Sequence, residues 1–447
     1  MSVTDPLTKA MPTFTERREA GKARRAVLRR VDQGLWEPSP RRPEPVAALL
    51  AANRNRQKDL LPIKWARMMA SPFAFFRGAA PLMAADLAPY PTTGLRVHIC
   101  GDAHVVNLGA YAGPDGRLVF DLNDFDEATP GPWEWDVKRL AASIVLAGQE
   151  AEQGKGDCAA AVRAFVESYR NSMDQFSKMK VVELAKWQVR KHTKDGPIGS
   201  VLSQAERATP DVTLKKLTVA RGRGTRHFHD KPPLLRHLPR STAETVVRSL
   251  MSYREALSVE RQQVLDAYRV VDVAFKVVGT GSVGTRDYIV LLLGSRADDS
   301  LFLQIKEELP SCYVPYLRQA PPFPHQGRRV AEGQRRLQTA TDPFVGWTSI
   351  GSGDYLVRQL ADHKARIEPA ELKGTNLADY ALVCGEVLAK AHARTGDAAA
   401  IAGYCGNSRK LDGAIAKFAQ VYAEQARHDH EALCKAIKAG LLKTARL

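Results

Sequence analysis

Between Leu95 and Asp136 the chain reads LRVHICGDAHVVNLGAYAGPDGRLVFDLNDFDEATPGPWEWD. This stretch places the carboxylates Asp102, Asp121, Asp124 and Asp126, the amide Asn107 and the imidazole His104 in or beside short loops between strand-like runs. A hard cation such as Mg²⁺ takes oxygen ligands, usually one or two protein carboxylates together with substrate phosphates and water. Phosphoryl transfer needs one further carboxylate to orient or deprotonate the attacking hydroxyl. Asp102 and Asn107 have the D-x-x-x-x-N spacing in which the base comes first and the metal-binding amide follows. Asp124-Phe125-Asp126 can supply the second metal ligand, with Asp121 competing with Asp124 for that role.

These residues need elements to position them. Leu95, Val97 and Ile99 alternate with Arg96, His98 and Cys100, the period of a half-buried strand that should end at Gly101-Asp102. Pro114-Asp115-Gly116 marks a turn, and Arg117 to Leu122 is expected to return as a second strand, so that both acidic loops open on one edge. Pro130-Gly131-Pro132 is expected to break the chain before a helix with Val137, Leu140, Ala141 and Ile144 on one face. Asp136 lies in its first turn, where a carboxylate suits the helix dipole.

Upstream, residues 1–57 read as a basic, Pro-containing arm with one short helix and partial disorder. Helical spacing from Lys58 to Ala85 is interrupted at Ser71-Pro72 and carries Arg77 in FAFFRG, a clamp for phosphate or carboxylate or else the partner of a nearby acid. After the acidic stretch the chain is mainly helical to about Tyr268. Three strands are then expected, and the first turn holds Gly279, Gly281, Ser282 and Gly284 in a G-x-G-x-x-G pattern. Because the pattern joins two strands and does not open a helix, it suits a phosphate-covering hairpin more than a dinucleotide fold. Lys306 in LQIK fits a strand lysine aimed at phosphates, and a helix from about Gly327 to Ala340 offers Glu332 as its partner. A strand at Asp354–Leu360 leads to a linker suited to an adenine hinge, and helices, beginning with Asn376–Ala393, fill the rest.

The chain has 447 residues and a net charge of +16. That excess suits nucleic acid, an anionic surface or a phosphorylated ligand, but no compact nucleic-acid-reading motif accompanies it. Six scattered cysteines without C-x-x-C spacing read as free thiols of a reducing cytoplasm. No signal-like or membrane-spanning apolar run is present, so the expectation is a cytoplasmic protein without a membrane partner.

GDAHVVN, NDFDEA and WDVKRLA resemble the core of the aminoglycoside- and choline-phosphotransferase branch of the protein-kinase-like superfamily. More closely, RMMASPFAFFRGAAPLMAADL through WEWDVKRLAAS resembles a bacterial family of uncharacterised proteins, domain-of-unknown-function family 2252, over most of the chain. The resemblance implies an α+β, two-lobed kinase-like fold that uses ATP and Mg²⁺ to phosphorylate a hydroxyl of a small molecule. It further implies that Asp102 is the catalytic base in a loop with His104, Asn107 and Asp124 the metal ligands, and Asp136 the brace of the catalytic loop. Lys306 and Glu332 would then form the phosphate-orienting pair, and the three glycines the phosphate cover.

Three features depart from that pattern. Cys100 stands where kinases usually carry His, Asp121 competes with Asp124 for the metal role, and the glycine loop follows the catalytic loop where it ordinarily precedes it. The third departure implies a circular permutation: a catalytic and helical region at 58–268, a small lobe at 269–365 and completing helices at 366–447. Transfer of AMP from the same site, a nucleotide-binding pseudoenzyme and a basic nucleic-acid-binding protein are the alternative readings.

Overall fold

The computed structural model describes residues 11–189, 196–221, 225–296, 298–317, 323–360 and 363–445. The start of the basic arm (residues 1–10) and the first two residues of the expected hinge (361–362) lie outside the described residues. The fold is mixed α+β with antiparallel sheets.

Four short strands frame the acidic stretch: β1 (Arg96–Ile99), β2 (Leu108–Ala112), β3 (Leu118–Leu122) and β4 (Thr129–Pro132). β5 (Thr218–Arg221) and β6 (Thr225–Phe228) form a hairpin of their own. β7 (Leu235–His237), β8 (Arg269–Lys276), β9 (Asp287–Leu293), β10 (Ser300–Glu307), β11 (Gly346–Ile350) and β12 (Gly353–Gln359) build one sheet in the order β11-β12-β10-β9-β8-β7. β13 (Ala365–Arg366) joins β2 and β3 in a third sheet, of order β13-β2-β3.

The expected hairpin across the acidic loops is not the pairing found. β1 pairs with β4, Val97 opposite Gly131, while β3 pairs with β2, Gly109 opposite Asp121. Pro130 and Pro132 therefore sit inside a strand and do not break the chain. A two-stranded ladder has only edges, so a proline there forfeits no bond to a third strand. β2, LGAYA, has little intrinsic strand character and is held by neighbours on both sides.

The six-stranded sheet is larger than the expected set. β9, DYIVLLL, is buried throughout, as its central place requires. β7 comes from before residue 269, and β11 is covered by the helix Arg240–Glu255, whose Tyr253 donates to Phe344 O at 2.6 Å. The helix Gln326–Leu337 lies between β10 and β11 in sequence.

The apolar core is divided. One large cluster joins the helices Trp133–Glu150, Lys155–Ser177, Asn376–Thr395 and Lys410–Lys438, and another is built on the six-stranded sheet around Val290, Leu303 and Tyr355. The described part of the basic arm is docked and ordered, with two α-helices, Phe14–Ala23 and Pro45–Ala52. Several of its arginines are consumed structurally: Arg25 donates to Gly403 O and Tyr404 O, Arg30 to Cys405 O, and Arg42 to both Asp86 and Asp429. Among the described residues no helix is long and apolar enough to cross a membrane.

Candidate functional site

The loop after β1 turns at Gly101, whose φ of +78° and approach to Glu127 O leave no room for a side chain. Asp136, in the first turn of the helix Trp133–Glu150, holds this loop from below. Its carboxylate accepts from Cys100 N at 2.8 Å and from Gly101 N at 2.9 Å. His392 Nε2 lies 3.3 Å from the same carboxylate, and its other ring nitrogen is 2.8 Å from the Tyr169 hydroxyl. The Asn107 amide donates to Asp102 O at 2.9 Å, leaving its oxygen for another partner.

Asp102 is anchored on one side only. Oδ1 accepts from Arg139 Nε at 2.7 Å, and Arg139, fully buried, also donates to Phe76 O and lies 4.3 Å over the Phe76 ring. Oδ2 stands 3.8 Å from His104 Nε2, beyond hydrogen-bonding distance. Burial raises the Asp102 pKa against the pull of Arg139. Burial, with Arg77 and Arg139 nearby, pushes His104 well below the usual range, so its imidazole is neutral.

Past β3, the Asp126 carboxylate meets the Lys306 ammonium from β10, and Glu308 stands 3.9 Å from the same nitrogen. The other Asp126 oxygen is buried without a partner. Burial and the neighbouring Asp126 charge raise Asp124, whereas Lys306 overcomes burial and holds Asp126 low. Arg329, fully buried on the helix Gln326–Leu337, stitches this loop to the sheet through Asp126 O, Ala128 O and Leu309 O.

The glycine loop lies between β8 and β9. Gly284 has a φ of +94°, and a Cβ there would press on Arg56. Ser282 donates its hydroxyl to Gly279 O at 3.2 Å, closing the turn on itself. Positions 279 and 281 are open, with at most one atom as near as 4.0 Å to an added Cβ.

One cleft takes Asp102, His104, Asn107 and Asp124 from the acidic half and Gly279, Gly281, Ser282 and Lys306 from the later half, with Arg77 in its wall. A second opening shares Asn107, Asp124 and Lys306 and continues past Val278, Gln304 and Leu360. Gly284 shapes the loop without lining either opening, and Asp136 lies behind the loop it holds.

Two expected roles are not those found. Glu332 pairs with Arg328 at 2.7 Å and Arg336 at 3.4 Å on its own helix, because that helix turns Arg329 and Gly333 inward and leaves Glu332 outside. Lys306 has Asp126 in its place. Asp121 is no competitor for a metal: both its oxygens accept from Lys390 Nζ, at 2.7 and 2.5 Å, away from the cleft. Sequence reasoning also missed Arg139, Arg329, Lys390 and His392. A lone basic residue in a helical pattern carries no local mark of a distant acid.

No three His, Cys, Asp or Glu side chains among the described residues are gathered as a preformed metal cage. What the cleft offers is an oxygen-only set, the Asn107 amide with Asp124 and Asp126. This suits a cation that takes most of its ligands from phosphates and water.

A family profile described as an uncharacterized protein conserved in bacteria, DUF2252, matches residues 56–436. The chain belongs to that family. No curated protein and no solved structure gives a match.

Proposed function

We propose that the protein is an ATP- and Mg²⁺-dependent phosphotransferase with a circularly permuted, two-lobed kinase-like architecture, acting on a hydroxyl of a small molecule. The observation that carries this reading is the meeting of Lys306 with Asp126 in the cleft that also holds Asp102 and Asn107. A phosphate-directed lysine, an oxygen ligand set and a candidate base converge there from segments far apart in the chain. That convergence is what metal-assisted phosphoryl transfer requires.

In the proposed step the acceptor oxygen attacks the γ-phosphorus of ATP. The bond to the β–γ bridging oxygen breaks, and its electron pair leaves with ADP. The hydroxyl proton passes to Oδ2 of Asp102, the oxygen that Arg139 leaves free. Arg139 fixes the carboxylate's direction, and a neutral His104 adds no positive charge to compete for it. Asn107, Asp124 and Asp126 would hold Mg²⁺, which when bound screens the charge on the β- and γ-phosphates. Gly279 and Gly281 leave their backbone open for phosphate oxygens, and Lys306 orients them.

Calorimetric titration of a non-hydrolysable ATP analogue with and without Mg²⁺ tests the assignment. Asp124→Asn is expected to weaken the metal-dependent affinity by more than about tenfold, some 1.4 kcal/mol. Equal affinity in wild type and variant would remove Asp124 as a ligand, and no binding to the wild type would remove the reading altogether. Product mass then separates phosphate from AMP transfer.

A further inference from the structure

Beyond Asp102 the cleft is walled by cations. Arg56, Lys64 and Arg77 line it, with Arg366 also present. Arg56 follows the helix Pro45–Ala52 and donates from Nη1 to Val283 O at 2.8 Å, while its buried Nε has no partner. Lys64, buried on the helix Leu61–Met69, donates to Gly281 O at 3.2 Å. Arg77 closes the helix Pro72–Gly78; among the described residues it has no hydrogen bond or ion pair, and its Nε is buried.

Three of the acids in the same cleft are engaged with other groups. Asp102 is held by Arg139, Asp126 by Lys306, and Glu127 accepts from Cys312 N at 2.7 Å. Among the described residues none of Arg56, Lys64 and Arg77 has a carboxylate within ion-pairing distance, although acids line the same cleft, and a buried or half-buried cation without a direct partner is costly. Burial lowers the pKa of each, most strongly for Lys64, where Arg56 adds to the effect. An anion entering this chamber would relieve that cost.

The geometry points to an acceptor that carries an anionic group, phosphate or carboxylate, beside its reacting hydroxyl, held by Arg56, Lys64 and Arg77. This rests on the phosphotransferase reading, which makes the Asp102 side of the cleft the acceptor side. Lys306, the open glycines and the second opening past Val278 and Leu360 serve the nucleotide. A cationic acceptor would meet like charge at Arg56, Lys64 and Arg77. The same short segment also fixes the glycine loop, since Gln57 N donates to Gly284 O at 2.7 Å. Acceptor recognition and phosphate cover are thus held by one strap.

The test uses the full chain saturated with Mg²⁺ and a non-hydrolysable ATP analogue, with inorganic phosphate titrated calorimetrically. Wild type should bind phosphate. Arg77→Gln should weaken that binding at least about tenfold, as expected for loss of a charged hydrogen bond, while leaving analogue affinity unchanged, and Arg77→Lys should recover part of it. Because the Arg77 side chain has no hydrogen bond or ion pair among the described residues, its replacement by Gln strands no partner there.

Equal weakening of the analogue by Arg77→Gln, or neither phosphate binding nor stimulation by an anionic acceptor in wild type, overturns the proposal and leaves the nucleotide assignment standing. Failure of the analogue to bind wild type removes the nucleotide assignment first and this proposal with it. A second measurement follows ADP release with sugar phosphates, hydroxycarboxylates and aminocyclitols. Stimulation by either anionic class supports the proposal and tells phosphate from carboxylate; stimulation by aminocyclitols alone overturns it.

Discussion

Asp121–Lys390 and Asp126–Lys306 are pairs of the same residue types, yet only the second faces the cleft. Lys390 is saturated: both oxygens of Asp121 and Leu337 O take its three protons. Lys306 has Asp126 as a direct partner, Glu308 at 3.9 Å and Asp124 close by, three carboxyl groups to one ammonium. Burial lowers the Lys390 pKa despite Asp121. Burial opposes Lys306 too, but Asp126, Glu308 and Asp124 outweigh it and raise its pKa. A pair whose valences are filled serves the fold. A pair with surplus acid can exchange partners or take up a cation.

The sharpest way to break the comparison is to remove each lysine in turn. Lys390→Met strands Asp121, whose side chain is 7% exposed, so the loss should be about 3–5 kcal/mol of unfolding free energy in urea. Stability equal to wild type would show that the pair does not hold the fold. Lys306→Met should cost less stability, because Asp126 is 23% exposed and can be reached by water. Its main effect should be on ATP-analogue affinity, a loss of about 1.5–3 kcal/mol for a charged hydrogen bond, read by calorimetry. If Lys306→Met costs as much stability as Lys390→Met and leaves analogue affinity unchanged, the two pairs are alike and the distinction fails.

The same contrast shows what could be read from the chain. Asp102, Asn107 and the glycine loop were legible because their spacing is local: four residues separate the carboxylate from the amide, and turn chemistry marks the loops. The helices were legible from period, as in Trp133–Glu150. Pairing was not. Lys390 lies 269 residues from Asp121, and Lys306 lies 180 from Asp126, distances over which no period or spacing carries information. Helical position points Glu332 at Lys306, and the phase of that helix places Arg329 inward instead. β1 took β4 in preference to β3, because the hydrophobic alternation that identifies a strand does not name its partner. The docking of the N-terminal arm is of the same kind, since RRAVLRR reads as a free basic tail until the carbonyls of residues 403–405 are placed against it.

The smallest expected effect tests the surplus of acid directly. Asp287 lies across the sheet from Lys306 in the β9–β10 register. One of its oxygens accepts from Gln304 at 2.7 Å, and the other is buried without a partner. Burial pushes its pKa up to about 7, even with Lys306, Gln304 and Arg358 pulling the other way. The folded protein therefore keeps a proton that the unfolded chain gives up near pH 4. The stability contributed by this group is fully present below the unfolded pKa and is lost as pH rises through about 7. Between pH 6 and 7 it amounts to about 1 kcal/mol for the protein without nucleotide. Asp124, raised in the same direction by burial and Asp126, adds to the slope, so Asp287→Asn should flatten the fall without abolishing it. Urea midpoints of wild type and variant from pH 5 to pH 8 give the answer. A wild-type stability that rises across this window would mean that the cleft's cations already neutralise its acids, as Lys390 does for Asp121, and that the cleft holds no surplus for a metal to meet.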